Sequence, residues 1–155
     1  MTTTTVLAWH GDQALRDRIV QRMYQHREAD AFVQGMYQEV NRSLPLGYQG
    51  CAIGCLLDPG ADPVGDPCER WWVQVEEQFG IHRDVAEAID DIFESYDSRD
   101  GAGDFAVDAI EAIPVGADLT EVAEWCRAEC VTLEREAGQL LEQLRSAPIP
   151  ARADR

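Results

Sequence analysis

Apolar residues recur at helical spacing along most of this chain. Between 12 and 27 they fall at every fourth position, and Asp12 stands where an N-cap is expected. The segment 83–96 is the clearest amphipathic helix, because it carries one apolar stripe and one acidic stripe. Shorter patterns of the same kind predict helices over 68–79 and 104–113. The apolar stripe of the segment 83–96 consists of Val85, Ile89, Ile92, Phe93 and Tyr96.

The last third of the chain predicts one long helix. Asp118 and Glu121 have the spacing of a capping box, and apolar residues then recur at intervals of three and four as far as about Arg145. This pattern is typical of a coiled-coil seam or of the central helix of a bundle. A homodimer formed through residues 119–145 is therefore one hypothesis for this segment.

Proline and glycine mark the expected ends of the domain. The run 58–67 contains three prolines and two glycines and predicts a surface loop, whereas 97–103 predicts a turn. We expect an N-terminal arm at 1–11, one helical domain at 12–145 and a disordered tail at 146–155. The predicted fold is an all-α, single-domain bundle of about five or six helices with a long C-terminal helix. A small strand pair around 36–50 is the main expected exception to the all-α fold.

The amino-acid composition narrows the range of functions that the chain can have. All 13 basic residues among the 155 are arginine, so the chain has no lysine for a Walker A motif, a Schiff base or a kinase strand. A net charge of −16 disfavours direct binding of nucleic acid or anionic lipid. The first basic residue is Arg16, and no apolar stretch resembles a signal peptide or a membrane span, so we expect a cytoplasmic protein with reduced thiols.

The negative charge is concentrated in one segment. Residues 84–124 contain 13 acidic residues and only Arg99, a net charge of −12. Many of these carboxylates are three or four residues apart, so we expect them to form a row on one face that self-repels unless a partner covers it. We expect this face to bind a basic protein, for example as a nucleic-acid mimic; a face that serves only solubility is the alternative. The predicted partner-binding residues are Asp84, Glu87, Asp91, Glu94, Asp97, Asp100, Asp104, Asp108 and Glu111.

Four of the five cysteines form two pairs with a spacing of four. Cys51 and Cys55 form one pair, and Cys126 and Cys130 form the other. Each pair would share a helix face, and two facing helices would then offer four thiolates to zinc or to an iron–sulfur cluster. The alternative is core packing, because free cysteine behaves as a small apolar residue. No cofactor at all is the principal expectation.

Four short motifs occur in a recognisable order. They are Gly50–Cys55 (GCAIGC), Phe79–Ile81 (FGI), Asp90–Glu94 (DDIFE) and Ala112–Leu119 (AIPVGADL). Together they resemble a family of small bacterial and phage-associated acidic proteins without an assigned function, which implies a single compact domain over about 26–125 and no particular site.

The chain lacks the HExxH and GxSxG motifs of hydrolases. We therefore expect a non-enzymatic acidic binding protein, such as a phage- or mobile-element-encoded inhibitor or regulator that occupies a basic, nucleic-acid-binding surface of its partner. A metal- or thiol-dependent protein built on the cysteine pairs is one alternative, and an oligomerising structural protein is the other.

Overall fold

The structure, a computed structural model, describes residues 4–59 and 67–151, of which 67–70 are described by their backbone only. Within this part the chain forms seven α-helices, one two-stranded antiparallel sheet and two 3-10 turns. The all-α prediction is confirmed. The small sheet lies within 36–50, where a strand pair was expected as the main exception. The helices are α1 (Gln13–Glu28), α2 (Ala52–Leu56), α3 (Pro67–Phe79), α4 (Arg83–Ser95), α5 (Arg99–Ala112), α6 (Thr120–Glu129) and α7 (Ala137–Arg145), and the strands are β1 (Gln38–Val40) and β2 (Tyr48–Gly50).

Helix α4 lies at the centre of the fold and contacts α2, α3, α5 and α6. The apolar stripe predicted for it is buried from Val85 to Phe93, and Tyr96 packs at its end against Phe105. The His82 ring accepts a hydrogen bond from the Asp84 amide at 3.1 Å and so caps the first turn. The centre of the fold is thus the segment with the strongest amphipathic pattern.

Helix α5 begins earlier than the sequence pattern predicts. Ser98 caps it by accepting a hydrogen bond from the Gly101 amide at 3.1 Å, and the helix starts at Arg99. The turn predicted over 97–103 is therefore wrong for most of its length. The Phe32 ring packs against Gly103 and leaves little room for a side chain. A Cβ at position 103 would lie 3.3 Å from this ring.

The C-terminal helix predicted over 119–145 is interrupted. Helix α6 ends at Glu129, and Cys130 adopts a left-handed conformation with φ 51°. The Glu136 carboxylate then accepts hydrogen bonds from the amides of Thr132 and Leu133, which fixes a 3-10 turn (Glu134–Glu136) before α7. A single long helix is wrong because one part of the apolar seam packs on α4 and the other on α5. The seam that suggested a homodimer is largely buried inside this chain.

The chain ends pack more closely than the sequence indicates. A 3-10 turn (Ala8–Gly11) buries Trp9, whose indole N–H donates to the Ile113 carbonyl at 3.0 Å. The predicted arm 1–11 therefore contributes core residues. At the other end, Ala147 is buried and the Asp118 amide donates to the Pro148 carbonyl at 2.8 Å. The rest of the predicted tail, 152–155, and most of the predicted loop 58–67 lie outside the described residues.

The two glycines of the GCAIGC motif hold the preceding segment of chain close to α2. A Cβ at Gly50 would lie 1.9 Å from the Tyr37 carbonyl oxygen, and a Cβ at Gly54 would lie 1.6 Å from it. The Cys51 amide donates to the Met36 carbonyl at 2.7 Å. These contacts place Tyr37 beside Cys51 and α2.

Candidate functional site

Eight of the nine predicted partner-binding carboxylates lie in two rows. On α4, Asp84, Glu87 and Asp91 line a groove that faces α6. On α5, the carboxylates from position 100 to position 111 are exposed. Glu94 ends the first row, and Asp97 lies in the connection between the two helices. The exposed residues of the second row are Asp100, Asp104, Asp108 and Glu111.

The groove between α4 and α6 has a volume of about 230 Å³. Its α4 wall contains the three carboxylates, and Asp84 forms an ion pair with Arg127 on the opposite wall. Burial raises the pKa of Asp91 above its ordinary value. The groove therefore combines acidic side chains with a partly desolvated position that favours an incoming cation. The opposite wall consists of Cys126, Arg127, Cys130, Val131 and Thr132.

The row on α5 is partly neutralised by arginines. Arg27 Nη1 lies 3.7 Å from Asp104 Oδ1, and the Tyr24 hydroxyl donates to Glu111 at 2.6 Å. Burial raises the pKa of Asp108, and the neighbouring charge of Asp104 raises it further. The positive charge of Arg27 opposes this effect. This row is open to solvent but has some of its charge balanced within the chain.

The four paired cysteines do not form one ligand set. Among the described residues, the one group of three or more ligand atoms within 4.8 Å contains Cys51 alone of these four. The Cys55 thiol donates to the Gly50 carbonyl at 3.4 Å, and burial raises its pKa. Cys126 is buried on α6, where burial raises its pKa to about 12, and Cys130 is exposed. Helices α2 and α6 both pack on α4, but Cys51 lies beside Asp90, whereas Cys126 and Cys130 lie across the groove from Asp84 and Asp91.

Asp90 is a candidate functional residue that the sequence reasoning missed. Its Oδ1 atom is closed to solvent and has no hydrogen-bond partner among the described residues. Burial raises the pKa of Asp90 to about 7, a hydrogen bond with the Cys51 side chain lowers it, and the charge of Glu94 raises it. A signal was present in the sequence, because Asp90 lies four residues after Ala86 and three before Phe93, both fully buried. An acidic residue on the buried face of an amphipathic helix is unusual.

Asp90 belongs to a cluster with Cys51 and Glu94. The Cys51 sulfur and one carboxylate oxygen of each acidic residue all lie within 4.8 Å of one another. We call these three residues the Cys51–Asp90–Glu94 cluster. Burial raises the pKa of the Cys51 thiol well above its ordinary value, and the charge of Asp90 raises it further.

Aromatic residues lie beside this cluster. The Tyr37 ring stacks on the Trp71 ring with centroids 3.5 Å apart, and burial followed by the charge of Cys51 raises the pKa of Tyr37. The Gly35 amide donates to Glu94 Oε2 at 2.7 Å. Gln34 donates to the carbonyls of Phe93 and Tyr96 and so ties the same segment to the end of α4. The cluster lies where this segment, α2 and α4 meet.

Comparisons with models of protein families, with curated proteins and with solved structures find no match to this chain. The resemblance carried by the four short motifs stays a prediction. Over the residues that the structure describes, no helix has both the length and the apolar character needed to cross a membrane. A function for this chain must therefore be argued from its own geometry.

Proposed function

We propose that this protein is a non-enzymatic acidic binding protein that takes an arginine- or lysine-rich segment of a partner protein into the groove between α4 and α6. The observation that carries this proposal is the alignment of Asp84, Glu87 and Asp91 along one wall of that groove. The three positions span about 10 Å of helix, enough for successive basic side chains of an extended segment.

The shape of the groove suits a long basic side chain. Such side chains bury an aliphatic stem and present a charged end. The apolar parts of the groove, Ala88 and Val131, lie beside the carboxylates and would contact the stem. Asp91 is partly buried, so a cation at this position would meet a carboxylate that water solvates poorly.

The row on α5 has a secondary role in this proposal. It is exposed and would extend the negative field toward a larger basic surface, which speeds association. An inhibitor or regulator that occupies the nucleic-acid-binding surface of its partner is the form of function that these charges favour. Its origin in a phage or mobile element rests on the motif resemblance. We expect no direct binding of nucleic acid or of a membrane surface.

Binding of a short fluorescent oligoarginine peptide tests the groove against the general charge of the protein. The double variant Glu87→Gln/Asp91→Asn removes two carboxylates from the groove. The matched control Asp104→Asn/Asp108→Asn removes two from α5. Fluorescence anisotropy at moderate salt should show an affinity loss of about tenfold or more for the groove variant and a clearly smaller loss for the control. Equal losses would indicate attraction by net charge alone and would contradict a groove-specific site.

The partner can be sought with the same variants. Affinity capture from a lysate followed by mass spectrometry should return a basic protein with the natural chain and with the α5 control. The groove variant should lose that protein. Retention of the same protein by the groove variant would show that it binds elsewhere on the surface.

A further inference from the structure

The groove between α4 and α6 already contains a basic side chain of this chain. Arg127 lies in the last turn of α6, where a helix favours a cation, and Asp84 lies in the first turn of α4, where a helix favours an anion. Both residues line the groove, and the Arg127 guanidinium donates a hydrogen bond to the Asp84 carboxylate. Among the lining residues that the structure describes, Arg127 is the one that carries a positive charge.

The two members of this ion pair differ in their freedom to move. The Asp84 amide donates to His82 Nδ1 at 3.1 Å, which fixes the start of α4, and the Asp84 side chain is 22% exposed. The Arg127 side chain is 54% exposed. Because more than half of it faces water, the Arg127 side chain can leave the pair for solvent, whereas Asp84 stays in the wall of the groove.

The two ends of the carboxylate row therefore present different situations to a basic partner. Asp84 is paired with Arg127 at one end. Asp91 lies at the other end, about two helical turns away, and forms no ion pair with a basic side chain of the described residues. A basic side chain of a partner can approach Asp91 directly, but at Asp84 it meets a guanidinium that is already bound.

We propose that Arg127 is an internal competitor of the partner: it holds Asp84 in the free protein, and an arginine side chain of the partner displaces it. This inference rests on the proposed function of the groove. A partner arginine offers Asp84 the same planar group that this carboxylate already accepts from Arg127. The competition lowers the apparent affinity, because only molecules whose Arg127 has left Asp84 can bind the partner at this end.

Peptide binding by Arg127→Gln tests the competition. An exposed ion pair is weak, so anisotropy with the fluorescent oligoarginine peptide should show an affinity about two- to fivefold higher than that of the natural chain. Arg135→Gln is the matched control, because Arg135 is exposed in the 3-10 turn after α6 and lies outside the residues that line the groove. Its gain should be clearly smaller. Equal gains would show an effect of net charge alone and would overturn the proposal.

A double-mutant cycle with Asp84→Asn shows whether Arg127 acts through Asp84. The double variant Asp84→Asn/Arg127→Gln has the net charge of the natural chain, because it loses one negative and one positive charge. The Asp84→Asn background lacks the ion pair, so adding Arg127→Gln there should raise the affinity no more than Arg135→Gln does. A larger gain that persists in this background would show that Arg127 does not compete for Asp84, and it would overturn the proposal.

The same peptide separates this inference from the proposed function of the groove. If Glu87→Gln/Asp91→Asn loses affinity as expected and Arg127→Gln gains none, the groove binds the peptide and the internal competition is wrong. If Glu87→Gln/Asp91→Asn loses no more affinity than the α5 control, the groove is not the binding site, and both the function and the competition are overturned.

Discussion

His26 shows at the level of one residue how burial determines a protonation state. The ring is fully buried, and its centroid lies 4.6 Å from that of Tyr48 and 5.9 Å from that of Phe32. Both ring nitrogens lack a partner among the described residues. Burial, assisted by the charge of Arg22, lowers the pKa of His26 to about 4. The folded protein therefore holds a neutral histidine well below pH 6.

This buried histidine should make the protein less stable in mild acid. The pKa in the unfolded chain is about 6.5, so between pH 6.5 and 4 the unfolded state binds a proton that the folded state does not. The contribution of His26 to the free energy of unfolding is fully present above pH 6.5 and is lost as the pH falls toward 4. From pH 7 to pH 5 the loss is about 2 kcal/mol. Urea denaturation should show this slope, and His26→Leu should reduce it. An unchanged slope in His26→Leu would contradict this account.

Asp90 has the opposite effect on stability. The Oδ1 atom of Asp90 is closed to solvent and accepts no hydrogen bond from the described residues, so the charged carboxylate opposes folding at neutral pH even though Cys51 hydrogen-bonds to the same side chain. Asp90→Asn keeps the shape of the side chain and removes its charge. We expect it to raise the free energy of unfolding by about 1–3 kcal/mol at pH 8. Asp91→Asn should change it less in the same thermal melts. A less stable Asp90→Asn protein would show that the hydrogen bond with Cys51 stabilises the fold by more than the burial of the charge costs.

At the level of the element, the GCAIGC motif depends on close backbone contact. A Cβ at Gly54 would lie 1.6 Å from the Tyr37 carbonyl oxygen, whereas a Cβ at Gly138 in α7 meets nothing within 4 Å. Gly54→Ala should therefore destabilise the protein by several kcal/mol, about 3 or more. The matched control Gly138→Ala should stabilise it by about 0.5–1 kcal/mol, because alanine favours helix. Equal effects in denaturant titrations would contradict the contact.

The break between α6 and α7 is a second place where the backbone conformation constrains the residue type. Cys130 is exposed and has φ 51°, a conformation that favours glycine. Cys130→Gly should increase stability by about 1 kcal/mol. A shift of the urea midpoint to higher concentration would be the expected result. A shift to lower concentration would show that the Cys130 side chain contributes more than the strained backbone costs.

The sequence predicts the elements better than the way they connect. Apolar spacing identified α4 correctly, because one continuous stripe packs on several neighbours. The same spacing failed at Cys130, since it does not register a left-handed residue between two helices that pack on different partners. Asp90 belongs to the acidic run by its charge, although its spacing from Ala86 and Phe93 places it toward the buried face of α4. The cysteine pairs could not be placed from spacing, because their distance depends on how α2 and α6 pack.

At the level of the whole molecule, the charge is divided and not continuous. On α4, Asp84, Glu87 and Asp91 line a groove against α6, whereas the carboxylates on α5 are exposed. Arg27 lies near Asp104, and Arg145 lies beside Asp108 and Glu111. The concentration of acidic residues in one segment is a property of the sequence. Its division into a groove and an exposed row is a property of the fold. A basic partner would therefore meet two different acidic surfaces.

Amide NMR of the isotope-labelled protein, titrated with oligoarginine peptide, tests the central claim most directly. The largest chemical-shift changes should occur at 84–91 and 126–132, on the two walls of the groove. Smaller changes are expected at 100–111. Changes that are largest on α5, or that are spread evenly over all acidic residues, would contradict binding in the groove between α4 and α6.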